Sequence, residues 1–139
     1  AVEAYKRKAV VGTHGAIMHT MPSDYYRSRD VLHCKYDQGH DRPVHVLGTG
    51  TTCFHHSTIK LSPRDFKVPN MADIWLALAA RRQKVHLVCL SHSGQWMTFL
   101  DDPKGNEIYK RYVGRDKKQA ELVREAAPWP SLPKRPHIR

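Results

Sequence analysis

Thiols and imidazoles concentrate in two neighbouring segments that read HCKYDQGH and TTCFHH. Structural zinc sites usually carry paired ligands two to four residues apart, because a tight loop must direct both donors at one tetrahedral ion. Here five residues separate Cys34 from His40, and one residue separates Cys53 from His55. This irregular spacing predicts no metal site, although adjacent strands could still bring Cys34, His40, Cys53 and His55 together as a Cys₂His₂ set.

Two short motifs share residue types with catalytic sequences but lack their essential parts. Ser91-His92-Ser93-Gly94 has neither a GxSxG elbow nor the orienting residue that helps to activate a serine nucleophile. Gly48-Thr49-Gly50 lacks the lysine and the following helix of a phosphate-binding loop, and it indicates a hairpin turn instead. The sequence therefore predicts a protein that is not an enzyme and has no cofactor.

Basic and aromatic residues are interleaved in two segments, 25–29 and 109–112. Lysine and arginine neutralise phosphates, and tyrosine rings stack on exposed bases. An alternative is that these segments are solvated strand edges whose tyrosines complete the core. The candidate residues for binding RNA or a protein partner are Arg27, Arg29, Tyr109, Lys110, Arg111 and Tyr112.

The composition favours a polyanionic partner. The 139 residues include 23 Lys+Arg and 13 Asp+Glu, which gives a formal net charge of +10. The three cysteines are an odd number with no close pair, which argues against a disulfide framework and favours a reducing compartment. No stretch approaches the roughly 20 apolar residues of a membrane-spanning helix.

The hydrophobic pattern predicts an α+β fold with a core over residues 42–114. Residues 1–41 show no sustained period and are predicted to be an extended N-terminal arm. Residues 115–139 are predicted to be a short helix followed by a proline-rich basic tail. Ends of this kind usually lie on a partner.

Within the core, one buried helix is predicted near residues 71–83, because Met71, Ile74, Trp75 and Leu78 recur at helical spacing. A small antiparallel meander is predicted over roughly residues 84–113, with a hairpin preceding the helix. The run KVHLVCL is apolar on both alternating faces, which is typical of a central strand.

In composition, a small basic α+β core with two unpatterned ends is similar to the subunits of large assemblies, including ribosomal and mitoribosomal proteins. We therefore expect a non-enzymatic structural subunit of a large ribonucleoprotein, foremost a mitochondrial ribosome on the matrix side, in contact with rRNA and neighbouring proteins. The alternative is an accessory structural subunit of a mitochondrial respiratory complex or ATP synthase. A small metal-dependent enzyme is the third hypothesis.

Overall fold

The computed structural model describes residues 8–98 and 114–136. These ranges form two small three-stranded sheets and two α-helices, so the predicted α+β class is confirmed. The strands are β1 (Ala9–Gly12), β2 (Gly15–Met18), β3 (Arg29–Leu32), β4 (Arg42–Pro43), β5 (Val46–Leu47) and β6 (His86–Cys89), and the helices are α1 (Ala72–Arg82) and α2 (Lys117–Glu125).

The first sheet has the order β1-β6-β4, so β6 is the central strand that its continuous apolar run predicts. β1 pairs with β6 in parallel, with Ala9 opposite His86. β4 pairs with β6 in the antiparallel sense, with Pro43 opposite Val88. The sheet is therefore mixed, whereas the sequence pattern led us to expect an antiparallel one.

The second sheet has the order β3-β2-β5 and is antiparallel throughout. Gly15 of β2 lies opposite Leu32 of β3 on one side and opposite Leu47 of β5 on the other. The two sheets share one hydrophobic core, in which Val10, Leu47 and Ile74 have no exposed surface. This arrangement places the chain between β2 and β3 beside the start of α1.

Residues 9–32 contribute three strands to these sheets, where an extended arm was expected. Gly12 and Gly15, which interrupt the hydrophobic pattern of the sequence, lie where strands pack closely. The chain is not irregular there. A Cβ atom at Gly12 would lie 3.2 Å from Leu47 Cδ2, and one at Gly15 would lie 3.0 Å from Val44 Cγ1. A local sequence pattern cannot distinguish such close packing from a break.

The hairpin predicted around Gly48-Thr49-Gly50 does not form in the described part of the chain. Thr49–Thr51 is instead a single 3₁₀ turn. β5 pairs with β2, and Cys53 forms a bridge with Val11. The strand partners are distant in sequence, and alternation of apolar residues carries no information about such partners.

Helix α1 confirms the predicted buried helix. Its buried side chains pack against β5 and β6, and they are Ile74, Trp75, Leu76, Ala77, Ala79 and Ala80. The N-cap residue is Met71 rather than Asn70, and it makes no side-chain capping bond. Asn70 instead has φ of 63°, a left-handed conformation that asparagine tolerates.

The first residues after α2 pack on the core. Trp129 is only 2% exposed, and its Nε1–H donates a hydrogen bond to the Val123 carbonyl at 2.8 Å. The Nε2–H of His45 donates to the Pro130 carbonyl at 2.8 Å. Residues 129–130 therefore belong to the folded body, whereas the sequence predicted a tail that cannot bury itself. Residues 133–135 are exposed.

The part of the expected meander at residues 99–113 lies outside the described residues. Neither of the described helices has the length and hydrophobicity that a bilayer-spanning segment requires.

A candidate nucleic-acid interface

An open cavity of about 450 Å³ lies between β2, the chain leading into β3 and the start of α1. Each of these elements brings polar side chains to it, because the cavity forms where the second sheet meets the helix. The polar and aromatic side chains that line it are His14, Tyr25, Tyr26, Arg29, Thr49, Asn70, Asp73 and Gln119.

Arg29, the first residue of β3, lies against two tyrosine rings of this cavity. Its guanidinium carbon is 4.1 Å from the centroid of the Tyr25 ring and 4.9 Å from that of Tyr26. The Nε–H of Arg29 is buried without a hydrogen-bond partner. Among the described residues, no carboxylate forms a salt bridge with this guanidinium. Cation–π contact thus orients the arginine while its charge stays available to an anion.

Among the described residues that line the cavity, Asp73, in the first turn of α1, is the one carboxylate. The hydroxyl of Tyr25 donates a short hydrogen bond to its Oδ2 atom. Burial raises the pKa of Tyr25 well above its ordinary value, and the Asp73 carboxylate raises it further. The hydroxyl therefore stays protonated at neutral pH and continues to donate to Asp73. This hydrogen bond offsets part of the negative charge of the carboxylate, which would otherwise repel an anion.

His14 forms one wall of the cavity as a neutral imidazole. Burial lowers its pKa to about 4, and the neighbouring His33 and Arg29 act in the same direction. At neutral pH the ring contributes nitrogen atoms and an aromatic edge but no positive charge. The positive charge of this cavity therefore comes from Arg29.

A second cavity, of about 550 Å³, adjoins the first at the start of α2. Asn70 and Gln119 line both cavities, so the two are adjacent. We call the combined cavity the basic groove. In the part of the chain that the structure describes, the second cavity has no carboxylate in its lining and three cations, Arg115, Lys117 and Lys118.

Lys117 and Lys118 lie at an unfavourable place for the helix itself. The first turn of α2 contains no acidic residue. A helix N-terminus carries partial positive charge, so lysines there reduce helix stability slightly, whereas an anion beside them would be stabilised. An anion in the adjoining cavity would be favoured by both lysines and by the helix N-terminus.

The structure separates the two arginines that the sequence singled out. Arg29 lines the groove. Arg27 is exposed and is not part of the groove lining, and its backbone N–H donates to Asp24 at 2.6 Å. The other four predicted contact residues, Tyr109, Lys110, Arg111 and Tyr112, lie outside the described residues.

Sequence reasoning missed His14, Asn70, Arg115, Lys117, Lys118 and Gln119. The run RDKK at residues 115–118 was the available signal, because it places basic residues together at a helix start. Nothing local links that run to Tyr25 and Arg29, which meet it only in the folded chain.

The four thiol and imidazole side chains considered for a metal site do not converge on one point. Cys34 is buried, whereas Cys53 is exposed and forms a bridge with β1. His55 Nδ1 lies 2.7 Å from Ser57 Oγ, within hydrogen-bond distance, and its ring packs 4.2 Å from that of His56. Among the described residues, Cys34 instead groups with His14 and His33.

The sequence matches no protein-family model, and a search of curated proteins finds no match to it.

Proposed function

We propose that this protein is a non-enzymatic RNA-binding subunit of a large ribonucleoprotein, and that the basic groove contacts the RNA. The observation that carries the proposal is the adjacency of the two cavities, which share Asn70 and Gln119 in their linings. It joins an arginine stacked on tyrosines to a cluster of three cations. Together they would provide phosphate contacts and aromatic surface along one groove.

The groove suits a short single-stranded segment. We expect Arg115, Lys117 and Lys118 to neutralise phosphates of such a segment, and half-buried Tyr26 to offer an aromatic surface at the other end. Stacking on an aromatic side chain contributes about 1–3 kcal/mol per base and tolerates any base. Binding of this kind depends on backbone charge and stacking, so we expect little sequence preference.

For the assembly, we propose a mitochondrial ribosome, with rRNA and neighbouring ribosomal proteins as the partners. The net charge of +10 and the three cysteines, all free, support this proposal. Residues 9–32 and 129–130 pack on the rest of this chain, so the two chain ends support the proposal less than unpacked ends would. Tyr109, Lys110, Arg111 and Tyr112 remain predicted contact residues.

The test is the affinity of the full chain for a single-stranded RNA oligonucleotide over a range of salt concentrations. Each cation that neutralises a phosphate of a single strand contributes about 0.7 to the slope of log K against log salt. Lys117→Gln combined with Lys118→Gln should therefore reduce the slope by about 1.4. A matched control replaces Lys60 and Lys67, which are exposed and outside the groove lining, and it should leave the slope unchanged.

Arg29 and Arg27 provide a second matched pair. Arg29→Gln should weaken RNA binding about ten-fold, since it removes a charge and the platform on the tyrosines, whereas Arg27→Gln should have little effect. Thermal unfolding of both variants checks that the fold is retained. Two outcomes would reject the groove as the RNA-binding site: equal effects of the two substitutions on RNA affinity, or an RNA affinity that does not depend on salt concentration. Either would favour a subunit of a respiratory complex or ATP synthase.

A further inference from the structure

We infer that His14, His33 and Cys34 form a binding site for a borderline-soft divalent metal ion such as Zn²⁺. Each residue offers one ligand atom, and these atoms all lie within 4.8 Å of one another. The inference does not rest on RNA binding, since it concerns a different set of atoms.

The pairing of β2 with β3 explains why the two imidazoles meet. Gly15 of β2 lies directly opposite Leu32 of β3, and the strands are antiparallel. His14 and His33 are the next residues outward from this pair, so they continue the register side by side. Their rings contact edge to face, with 4.7 Å between centroids. Cys34 follows immediately and is buried beside them.

The distances are close to those of a metal centre. His33 Nδ1 lies 4.0 Å from Cys34 Sγ. Around tetrahedral zinc, with Zn–N near 2.0–2.1 Å and Zn–S near 2.3 Å, a nitrogen and a sulfur ligand are about 3.5 Å apart. A contraction of about half an ångström would therefore suffice for this pair.

The hydrogen bonds at these imidazoles leave room for such a rearrangement. His14 Nδ1 accepts from the Cys34 backbone N–H at 3.5 Å, the upper limit for a hydrogen bond. His33 Nδ1 accepts from the Lys35 backbone N–H at 3.1 Å. A metal–nitrogen bond at either atom would replace one such contact, and the Cys34 thiol would release its proton to solvent on binding.

Gly48 provides an independent sign that the position of the His14 ring is built into the fold. A Cβ atom at Gly48 would lie only 2.9 Å from His14 Cδ2, so no other residue type fits there without moving the ring. The Gly48 backbone N–H also donates to the His14 carbonyl at 2.9 Å. The chain thus fixes His14 from both its ring and its backbone.

The donor set defines the class of ion. Two imidazoles and one thiolate suit Zn²⁺ or Co²⁺ and are poor ligands for Mg²⁺ or Ca²⁺. Three protein ligands leave a fourth position for water or for a group of a bound molecule. Because His14 also lines the basic groove, the ion would lie at the edge of that groove.

The test is a titration of the full chain with Co²⁺, followed by absorption spectroscopy. We expect one equivalent to bind, with a thiolate-to-cobalt charge-transfer band that Zn²⁺ then removes by displacement. Cys34→Ser should abolish the band, and His33→Gln should weaken Co²⁺ binding by about ten-fold or more. Cys53→Ser is the matched control, because that thiol is exposed and outside the cluster, and it should change neither result.

The site is rejected if the full chain binds no Co²⁺, if the band survives Cys34→Ser, or if Cys53→Ser removes it. Circular dichroism checks the fold of each variant. If Cys34→Ser fails to fold, the half-buried His33 and His14 decide the question through His33→Gln and His14→Gln. Unchanged Co²⁺ affinity in both folded histidine variants would overturn the assignment.

Discussion

The backbone N–H of Tyr25 donates a hydrogen bond to the Asp116 carboxylate, with 3.1 Å between the nitrogen and Oδ2. The two residues are 91 positions apart in the sequence. Tyr25 also donates through its hydroxyl to Asp73 at the start of α1. One residue therefore ties the chain before β3 to the starts of both helices, and it fixes the two cavities of the basic groove relative to each other.

We predict that Asp116→Ala reduces both stability and RNA binding. Loss of a partly buried hydrogen bond to a carboxylate should lower the free energy of unfolding by about 1–2 kcal/mol, as measured by urea denaturation. RNA affinity should fall further than this destabilisation explains, since the second cavity would lose its fixed position. Glu121→Ala, at an exposed position of the same helix, is the control and should change neither property. Unaltered RNA affinity in a destabilised Asp116→Ala protein would show that the contact between Tyr25 and Asp116 does not support RNA binding by the groove.

Gly48 and Gly50 should respond very differently to alanine. At Gly48 the new Cβ meets the His14 ring at 2.9 Å, whereas at Gly50 nothing lies within 4 Å. Gly48→Ala should lower the free energy of unfolding by about 1–3 kcal/mol, because the ring must move within a packed region. Gly50→Ala should change it by about 0.5 kcal/mol or less. Thermal unfolding and Co²⁺ titration of both variants check this prediction. Equal stabilities of the two variants would contradict it.

Stability should fall as the pH drops below about 6.5, the ordinary pKa of histidine. His45 is buried, its Nδ1 accepts from the Met18 backbone N–H at 2.9 Å, and its Nε2–H donates to the Pro130 carbonyl. Burial lowers the pKa of His45. The unfolded chain therefore binds a proton at a pH where the folded chain does not, so this stability is complete above about 6.5 and is lost as the pH falls toward the folded pKa.

Urea denaturation at a series of pH values measures this effect. His45→Gln should flatten the dependence of unfolding free energy on pH below about 6.5. His56→Gln, at an exposed position, serves as the control and should keep the slope of the unsubstituted chain. An unchanged slope in His45→Gln would show that other groups, including His14, whose pKa burial lowers to about 4, produce the acid sensitivity.

Trp129 should be essential to stability although it lies in a proline-rich segment. It is 2% exposed and contacts the His45 ring, with 5.2 Å between centroids. Trp129→Ala should lower the free energy of unfolding by about 3–5 kcal/mol and expose the C-terminal segment to limited proteolysis. Trp129→Phe, which mainly loses the hydrogen bond to Val123, should lower it by about 1 kcal/mol.

Trp96 is the control for this prediction, because it is 52% exposed. Trp96→Ala should change the free energy of unfolding by about 0.5 kcal/mol or less. A Trp129→Ala protein as stable and as protease-resistant as Trp96→Ala would show that the segment is bound only loosely.

Helix α1 and strand β6 could be predicted from the sequence because each buries a continuous set of neighbouring residues. Ile74 and Leu78 repeat at the period of a helix, and the run HLVC is long enough to indicate a strand buried on both faces. The pairing of β1 with β6 could not be predicted, since it joins Ala9 to His86 and depends on no local pattern.

The residues of the candidate site likewise divide into those that the local sequence indicates and those that depend on contacts between distant residues. Arg29 was singled out because a basic residue beside Tyr25 and Tyr26 is visible locally. Lys117 and Lys118 were not connected with it, because tertiary contacts such as that between Tyr25 and Asp116 bring α2 to that place. His14 was missed because its role depends on β2 and β3 lying side by side.

The parallel pairing of β1 with β6 constrains how a nascent chain can acquire this structure. β1 is synthesised before its partner β6, which emerges only after α1 is complete. Until then Val10 and Val11, both buried in the final fold, have no sheet to join. Closing so long a loop is slow, and it leaves an unpaired apolar strand open to mispairing with other chains. Acquisition of the fold therefore waits until β6 has been synthesised.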